Sequence, residues 1–222
     1  MRLTRSLYIA TLGLLVAGPA VAQVRPERWT FEFFGGTALN LHTPFIVSQA
    51  GQPEITMTAE WDTRPFHAAP YYAYRIAKMD TLGRSGWAFD FTHQKIYLQN
   101  RPPEIGKFEI SHGYNLLTLS RLWPRKAWLW SVGGGMVIGH AENTVRGLVH
   151  DDDDGGTLGG GYYLCGIVVQ GGLGRRVDLG KNLFASALTK VTAATCRVPV
   201  RDGWAEAPNV ATHINLGIGM RW

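Results

Sequence analysis

From Arg28 onward, apolar and polar residues alternate with a period of two, in segments of about 10 residues that end on aromatic side chains. Eight such segments can be placed, at 28–41, 67–78, 86–98, 110–123, 127–141, 158–174, 182–197 and 208–222. In the first, Trp29, Phe31 and Phe33 share one face and Thr30 and Glu32 the other. The third repeats the pattern, with Trp87, Phe89 and Phe91 opposite Asp90, Thr92 and Gln94. The last is the most regular: Ile214, Leu216, Ile218, Met220 and Trp222 form an unbroken apolar face opposite His213, Asn215, Gly217 and Gly219. A soluble barrel would place such aromatics inside and its charges outside. The reverse polarity here predicts an all-β fold, an antiparallel eight-stranded up-and-down transmembrane β-barrel.

The connections alternate in length. Short turns at 80–85, 124–126 and 177–181 are expected on the periplasmic side, and long loops at 42–66, 99–109, 142–157 and 198–207 on the extracellular side. Eight strands enclose a lumen that side chains fill, so a general diffusion pore is disfavoured. Glu32, Arg75, Asp90 and Lys190 are expected to pair inside that lumen, because an unpaired charge at mid-membrane costs several kcal/mol; they read as structural filler, with a proton or ion path as the alternative. A two-residue turn at Gly180-Lys181 sets Cys165 directly opposite Cys196. The same register turns Lys190 outward, so the two expectations conflict unless a bulge intervenes.

The first residues read as an export signal. Basic Arg2 and Arg5 precede an apolar run from Leu7 to Val16, and Ala20-Val21-Ala22 offers a small-x-small cleavage site, giving a signal peptide at 1–22 and a barrel at 23–222. No later stretch holds the roughly 18 consecutive apolar residues of a spanning helix. The formal net charge of +5 includes the two leader arginines, and no Lys/Arg tract follows phosphates, so nucleic acid is an unexpected partner. Export permits a Cys165–Cys196 disulfide, with two barrel thiols as the alternative.

Candidate chemistry gathers at one end. All 7 histidines, His42, His67, His93, His112, His140, His150 and His213, fall on the extracellular side of this topology. Histidine is both the commonest metal ligand and the near-neutral base, whereas long polar loops alone would also collect histidines. Glu104, Glu109 and Glu142 lie nearby. The acidic run Asp151–Asp154 lacks the spacing of a calcium loop and reads by default as a solvated acidic loop. Ser48 and the Ser111-His112 pair lack the Gly-x-Ser-x-Gly elbow of an acyl-transfer nucleophile. Gly133-Gly134-Gly135 and Gly159-Gly160-Gly161 sit inside strands with no following helix, so they are packing glycines and no nucleotide fingerprint.

The strings Phe33-Phe34-Gly35-Gly36, Pro70-Tyr71-Tyr72, Gly86-Trp87-Ala88-Phe89-Asp90-Phe91-Thr92-His93-Gln94-Lys95-Ile96-Tyr97 and Ser111-His112-Gly113-Tyr114-Asn115-Leu116-Leu117-Thr118-Leu119 carry a resemblance. They resemble the small outer-membrane β-barrel family of Gram-negative bacteria that includes lipid A oxidase. The end of the chain also resembles the C-terminal assembly signal of outer-membrane barrels, with Trp222 where Phe is usual. These likenesses imply an outer-membrane location, the barrel-assembly machinery and lipid A or lipopolysaccharide as partners, and O₂-dependent oxidation of the proximal glucosamine of lipid A to aminogluconate. The alternative is a non-enzymatic surface barrel.

Alternation places His93, Lys95 and Tyr97 on the outward face near the extracellular rim, with His112 and Tyr114 approaching from the next strand. His93, His112 and Lys95 are therefore the candidate catalytic residues. Such a rim can work in two ways. His93, His112, His140 and Glu142 can hold a divalent redox metal, or a histidine can act as the base that takes a sugar hydroxyl proton. Lys95 and Tyr97 have a plainer reading as headgroup anchors.

Overall fold

A computed structural model describes residues 29–67, 69–150 and 155–222. The expected signal peptide and the Asp151–Asp154 run lie outside these residues. Fifteen strands occur in chain order: β1 (Trp29–Asn40), β2 (Thr43–Gln49), β3 (Ile55–Ala59), β4 (Trp61–Asp62), β5 (Tyr72–Met79), β6 (Gly86–Leu98), β7 (Ile105–Arg125), β8 (Trp128–Gly139), β9 (Glu142–Val145), β10 (Leu148–His150), β11 (Tyr163–Asp178), β12 (Leu183–Ala194), β13 (Arg197–Val200), β14 (Gly203–Glu206) and β15 (Asn209–Arg221). Eight of them, β1, β5, β6, β7, β8, β11, β12 and β15, pair antiparallel in that order, and β15 closes back onto β1. The predicted segments match the strands of this ring except at 158–162, where Gly159-Gly160-Gly161, expected inside a strand, form a turn with positive φ before β11. Among the described residues no helix is long and apolar enough to cross a membrane.

Alternation determines which face each side chain takes. Trp29, Phe33, Trp87, Phe89, Leu119, Trp130, Val132, Ile167, Val169, Leu216 and Ile218 stand exposed on the outer wall, while Glu32, Arg75, Asp90, Thr92, Gln170, Lys190 and His213 are buried inside. An apolar wall of this extent around a polar interior is stable against lipid.

The lumen is a packed polar core. Arg75 donates to Asp90 through Nε at 2.6 Å and Nη2 at 3.3 Å, and Asp90 also accepts from Ser120 and Gln170. Lys190 donates to Thr92 at 2.6 Å and to Gln170 at 3.2 Å. Glu32 is satisfied by Arg176, through Nε at 3.2 Å and Nη2 at 2.5 Å, and by Ser186. Arg176 was absent from the expected network, because either member of the Arg175-Arg176 pair could face inward until the register of β11 is known. Gly133 of β8 makes room for this network, since a Cβ there would collide with the Ser120 hydroxyl that donates to Asp90, and a Cβ on Gly135 would collide with the backbone of Leu117 and Thr118.

The sixth turn departs from the expected Gly180-Lys181 register, yet Lys190 faces inward and Cys165 still meets Cys196, by way of a bulge. The β11–β12 ladder pairs Gly172 with Lys190 and Asp178 with Phe184, one position away from the Gly180-Lys181 register, so Lys190 points inward. Cys165 drops out of the β11–β8 ladder at an irregularity between Leu164 and Gly166. That extra residue resets the parity of β11 and brings Cys165 to Cys196 in the barrel's upper core.

The long connections were read as loops, and here the structure corrects the reading. β13, β14, β2 and β3 form a four-stranded sheet, the β9–β10 hairpin extends the upper half of β7, and β4 adds to β6. Phe45, Val47, Trp61, Ile96, Phe108, Val145, Val198 and Ala205 fill one core beneath this layer, with Phe45 edge-on to Phe108 at 4.6 Å. These strands are short and bury a face against the barrel mouth, so their alternation is too brief to stand out in the sequence.

The charge pairs set the stability of this interior. Asp90→Ala leaves the buried Arg75 guanidinium without its counter-ion, and the expected loss is about 3–5 kcal/mol. The measurement is the urea midpoint at which the folded, heat-modifiable barrel unfolds in detergent. A midpoint equal to wild type would show that the lumen charges do not hold the barrel together.

Candidate functional site

The outer wall carries an aromatic row that climbs toward the long-loop end. Phe33 stacks on Tyr72 at 6.3 Å, Tyr72 contacts Phe91 at 5.9 Å, and Tyr72 lies nearly parallel to the His93 ring at 4.9 Å and 16°. His93 therefore continues the outward face of β6, as alternation predicted.

The partner strand breaks step at this level. β6 pairs Gln94 with Tyr114 and then Ile96 with Ile110, so Ser111, His112 and Gly113 bulge opposite Lys95 alone. Gly113 makes this possible with φ +133, a conformation that side chains disfavour, and a Cβ there would strike the Asn115 carboxamide, with Cγ at 2.8 Å. Asn115, freed to lie over Gly113, reaches across to His93, whose Nδ1 is 2.8 Å from Asn115 Oδ1. With the Asn115 oxygen facing it, His93 Nδ1 is placed to donate, an arrangement that leaves Nε2 to accept. Nε2 is buried without a hydrogen-bond partner.

The opposite wall holds a second polar group. His112 Nδ1 lies 2.5 Å from Glu142 Oε1, Lys107 Nζ lies 2.5 Å from Glu142 Oε2, and Ser111 donates to Oε1 at 3.2 Å. Burial raises the Glu142 carboxyl, but Lys107, His112 and Ser111 together outweigh it and hold the group below its ordinary value. The His140 ring lies 4.7 Å from that of His112 and meets Tyr162 edge-on at 5.1 Å, and Tyr162 donates to the His112 carbonyl.

Between these walls is a cleft of about 800 Å³, lined among others by Tyr72, His93, His112, Asn115, Glu142 and Tyr162. Its third side is a strap, residues 63–67 and 69–71, that crosses the upper part of β6. His67 accepts from Lys95 Nζ at 3.3 Å through its carbonyl, and the Arg64 guanidinium lies 4.3 Å over the Tyr97 ring. Lys95 and Tyr97 point outward as expected, yet they are 2% and 5% exposed because the strap roofs them. Headgroup anchoring is therefore not available to them in this arrangement. Lys95 sits behind the cleft rather than among its lining residues.

The structure brings His93, His112, His140 and Glu142 to one region of the wall. Among the described residues, no group of three or more His, Cys, Asp or Glu side chains is arranged to hold a metal ion. Both Glu142 oxygens are engaged by protein donors, one of them cationic, so this set fits an ion-paired cluster better than a metal centre. Ser111 donates to Glu142 and not to a histidine nitrogen, and Ser48 donates to Glu54 in the loop layer, so neither forms a nucleophile–base pair. His213 lies in the lumen between Thr192 and Tyr71.

Asn115, Tyr72, Tyr162 and Lys107 escaped sequence reasoning as site residues. Asn115 had a signal, since it pairs directly opposite His93 on the neighbouring strand. Tyr162 had none, because the turn at 155–162 that presents it has no periodicity.

No family model and no curated protein matches the chain. Among solved structures it is similar to Ail, the attachment invasion locus protein of Yersinia pestis, at 12% identity over 89% of this chain and 99% of that chain, TM-score 0.42. It is similar to the outer membrane protein AlkL in lipid bilayers at 13% identity over 93% of this chain and 95% of that chain, TM-score 0.46. Neisserial surface protein A is similar at 10% identity over 88% of this chain and 97% of that chain, TM-score 0.41.

Proposed function

We propose that the protein is a lipid A-modifying enzyme of the bacterial outer membrane, which takes its substrate sideways from the outer leaflet and oxidises the proximal glucosamine with O₂. The observation that carries this reading is the position of the cleft. It opens on the outer wall of the barrel, continuous with the Phe33–Tyr72–Phe91 row, while the lumen is closed by its own side chains. A water-borne substrate has no need of a lateral entrance, and a lipid anchored by its acyl chains does. Tyr72, Phe91 and Tyr162 offer flat faces for a sugar ring, and His93, Asn115 and Glu142 offer hydrogen bonds.

The chemistry follows from the two polar walls. His93 Nε2 is the buried, unpartnered acceptor among the cleft-lining residues and takes the proton of the sugar's anomeric hydroxyl. The anomeric carbon loses two electrons to O₂, which with two protons leaves as H₂O₂, and the resulting lactone adds water to give the aminogluconate. The product carries one oxygen atom more than the substrate. His112, held by Glu142, is the second group able to move a proton. A second reading, a non-enzymatic surface barrel, draws on the four-stranded layer at the loop end, which offers a broad face to a partner.

Mass spectrometry of lipid A separates the two readings. Strains carrying the gene are expected to show an O₂-dependent gain of one oxygen atom, which disappears in His93→Ala while the barrel still folds. General-base catalysis contributes about 10²–10⁴-fold, so residual conversion should fall in that range. An identical lipid A profile with and without the gene would rule out the oxidase reading.

The His112–Glu142–Lys107 cluster has its own signature. Because the Glu142 carboxyl is held below its ordinary value in the folded state, its stabilising contribution is present above that ordinary value and is lost as pH falls through the folded one. Hydrogen exchange in β9 is expected to be faster in Glu142→Gln than in wild type at pH 7, and the two should converge in acid. A difference that persists at low pH would mean the side chain acts through packing and not through charge.

A further inference from the structure

We propose that Cys165 and Cys196 are joined by a disulfide in the mature, exported protein, and that this bond ties the loop layer to the barrel wall. The proposal needs export alone and stands or falls independently of the lipid A reading. Three observations meet at this point of the structure.

The first is placement. The Cys196 thiol lies 2.6 Å from Cys165 Sγ, and both residues are buried, at 3% and 8% exposure. Cys165 sits where β11 bulges out of its ladder with β8, and Cys196 sits in the short connection between β12 and β13. The strand ladder does not bring them together by itself. It ends at Val168 and Ala194, and the backbone beyond it is held by Thr195, which donates to Ile167 through its amide and accepts from the Ile167 amide at Oγ1.

The second is space. Gly139 of β8 faces both sulfurs, and a Cβ there would lie 3.1 Å from Cys165 Sγ and 3.6 Å from Cys196 Sγ. The residue opposite the pair is thus the one residue type that leaves the sulfurs unobstructed. The third is surroundings. The pair sits in an apolar cluster with Ile110, Tyr114, Val137 and Val198, and among the described residues no group of three or more His, Cys, Asp or Glu side chains is arranged there to hold a metal.

The bond forms by exchange with an oxidising dithiol protein of the export compartment. One thiolate attacks the partner's disulfide sulfur and expels a partner thiolate, and the second thiolate resolves the mixed disulfide by expelling the partner from its bond. The chain loses two hydrogen atoms, as two electrons and two protons, and the partner leaves as a dithiol. The product links β11 to the connection that leads into β13, so the sheet above the barrel mouth is anchored covalently. Gly139 precedes His140, whose amide donates to the Gly113 carbonyl, so the bond also backs one wall of the cleft.

The test uses the full chain expressed with export in two strains, one with intact periplasmic thiol oxidation and one without. The protein is acid-quenched, denatured without reductant, treated with a maleimide and weighed intact. From the oxidising strain the expected result is no adduct, and two adducts after reduction. From the other strain, or from wild type reduced before quenching, two adducts are expected without further treatment. Cys165→Ser and Cys196→Ser should each take one adduct without reductant. If either variant fails to fold, the wild-type comparison still decides. Two adducts on unreduced wild type from the oxidising strain would overturn the proposal. A second readout is limited proteolysis of intact cells, where cleavage within 197–208 should rise several-fold in Cys196→Ser and remain at the wild-type rate if no bond exists.

Discussion

The Arg75–Asp90 pair is the interaction on which the rest of this structure turns. An eight-stranded barrel in lipid has an interior too narrow for bulk water, and its inward side chains must satisfy one another. Arg75, Asp90, Gln170 and Lys190 do so as one connected group, with Glu32, Arg176 and Ser186 as a second. Removing Asp90 or Glu32 leaves a buried arginine without its counter-ion and not a vacant path.

The outer wall is ordinarily a poor place for chemistry, since regular strands in lipid present only apolar side chains there. The barrel departs from regularity where polar groups are needed. At Ser111, His112 and Gly113 the bulge in β7 lifts His112 toward Glu142, and it lets Asn115 turn over Gly113 to fix the His93 ring. One backbone irregularity therefore positions both walls of the cleft. The positive φ of Gly113 is part of that construction, as a larger residue would displace Asn115 and with it the proton on His93 Nδ1.

What was legible in the sequence follows the same division. Wherever strands are regular, period-two alternation identified them and assigned faces correctly: Trp29 and Phe33 outside, Glu32 and Asp90 inside, His93 outward at the rim. The β11–β12 hairpin marks the limit of that method. Cys165 and Lys190 imply opposite registers if β11 is continuous, and only the bulge at Cys165 admits both. The loop layer was not legible, because β9, β13 and β14 have only 4 residues each and their burial depends on a barrel mouth that no local pattern encodes. The site was half legible. Its histidines could be collected on one end from topology, but their partners Asn115, Lys107 and Tyr162 are set by tertiary contacts.

Lys95 shows how the same departures from regularity meet opposing demands. Its position on β6 directs an ammonium toward the lipid side near the rim, where a free charge would be costly. The strap answers this by laying a backbone carbonyl, that of His67, over Nζ, and Arg64 covers the neighbouring Tyr97 ring. The strap thereby brings Arg64 and His67 to the edge of the cleft and closes its third side. Cleft and charge burial are thus one structural solution: the segment that shelters Lys95 also encloses His93. The buried ion pairs thus lie inside the barrel and the cleft outside it, with the upper halves of β6 and β7 as the boundary between them.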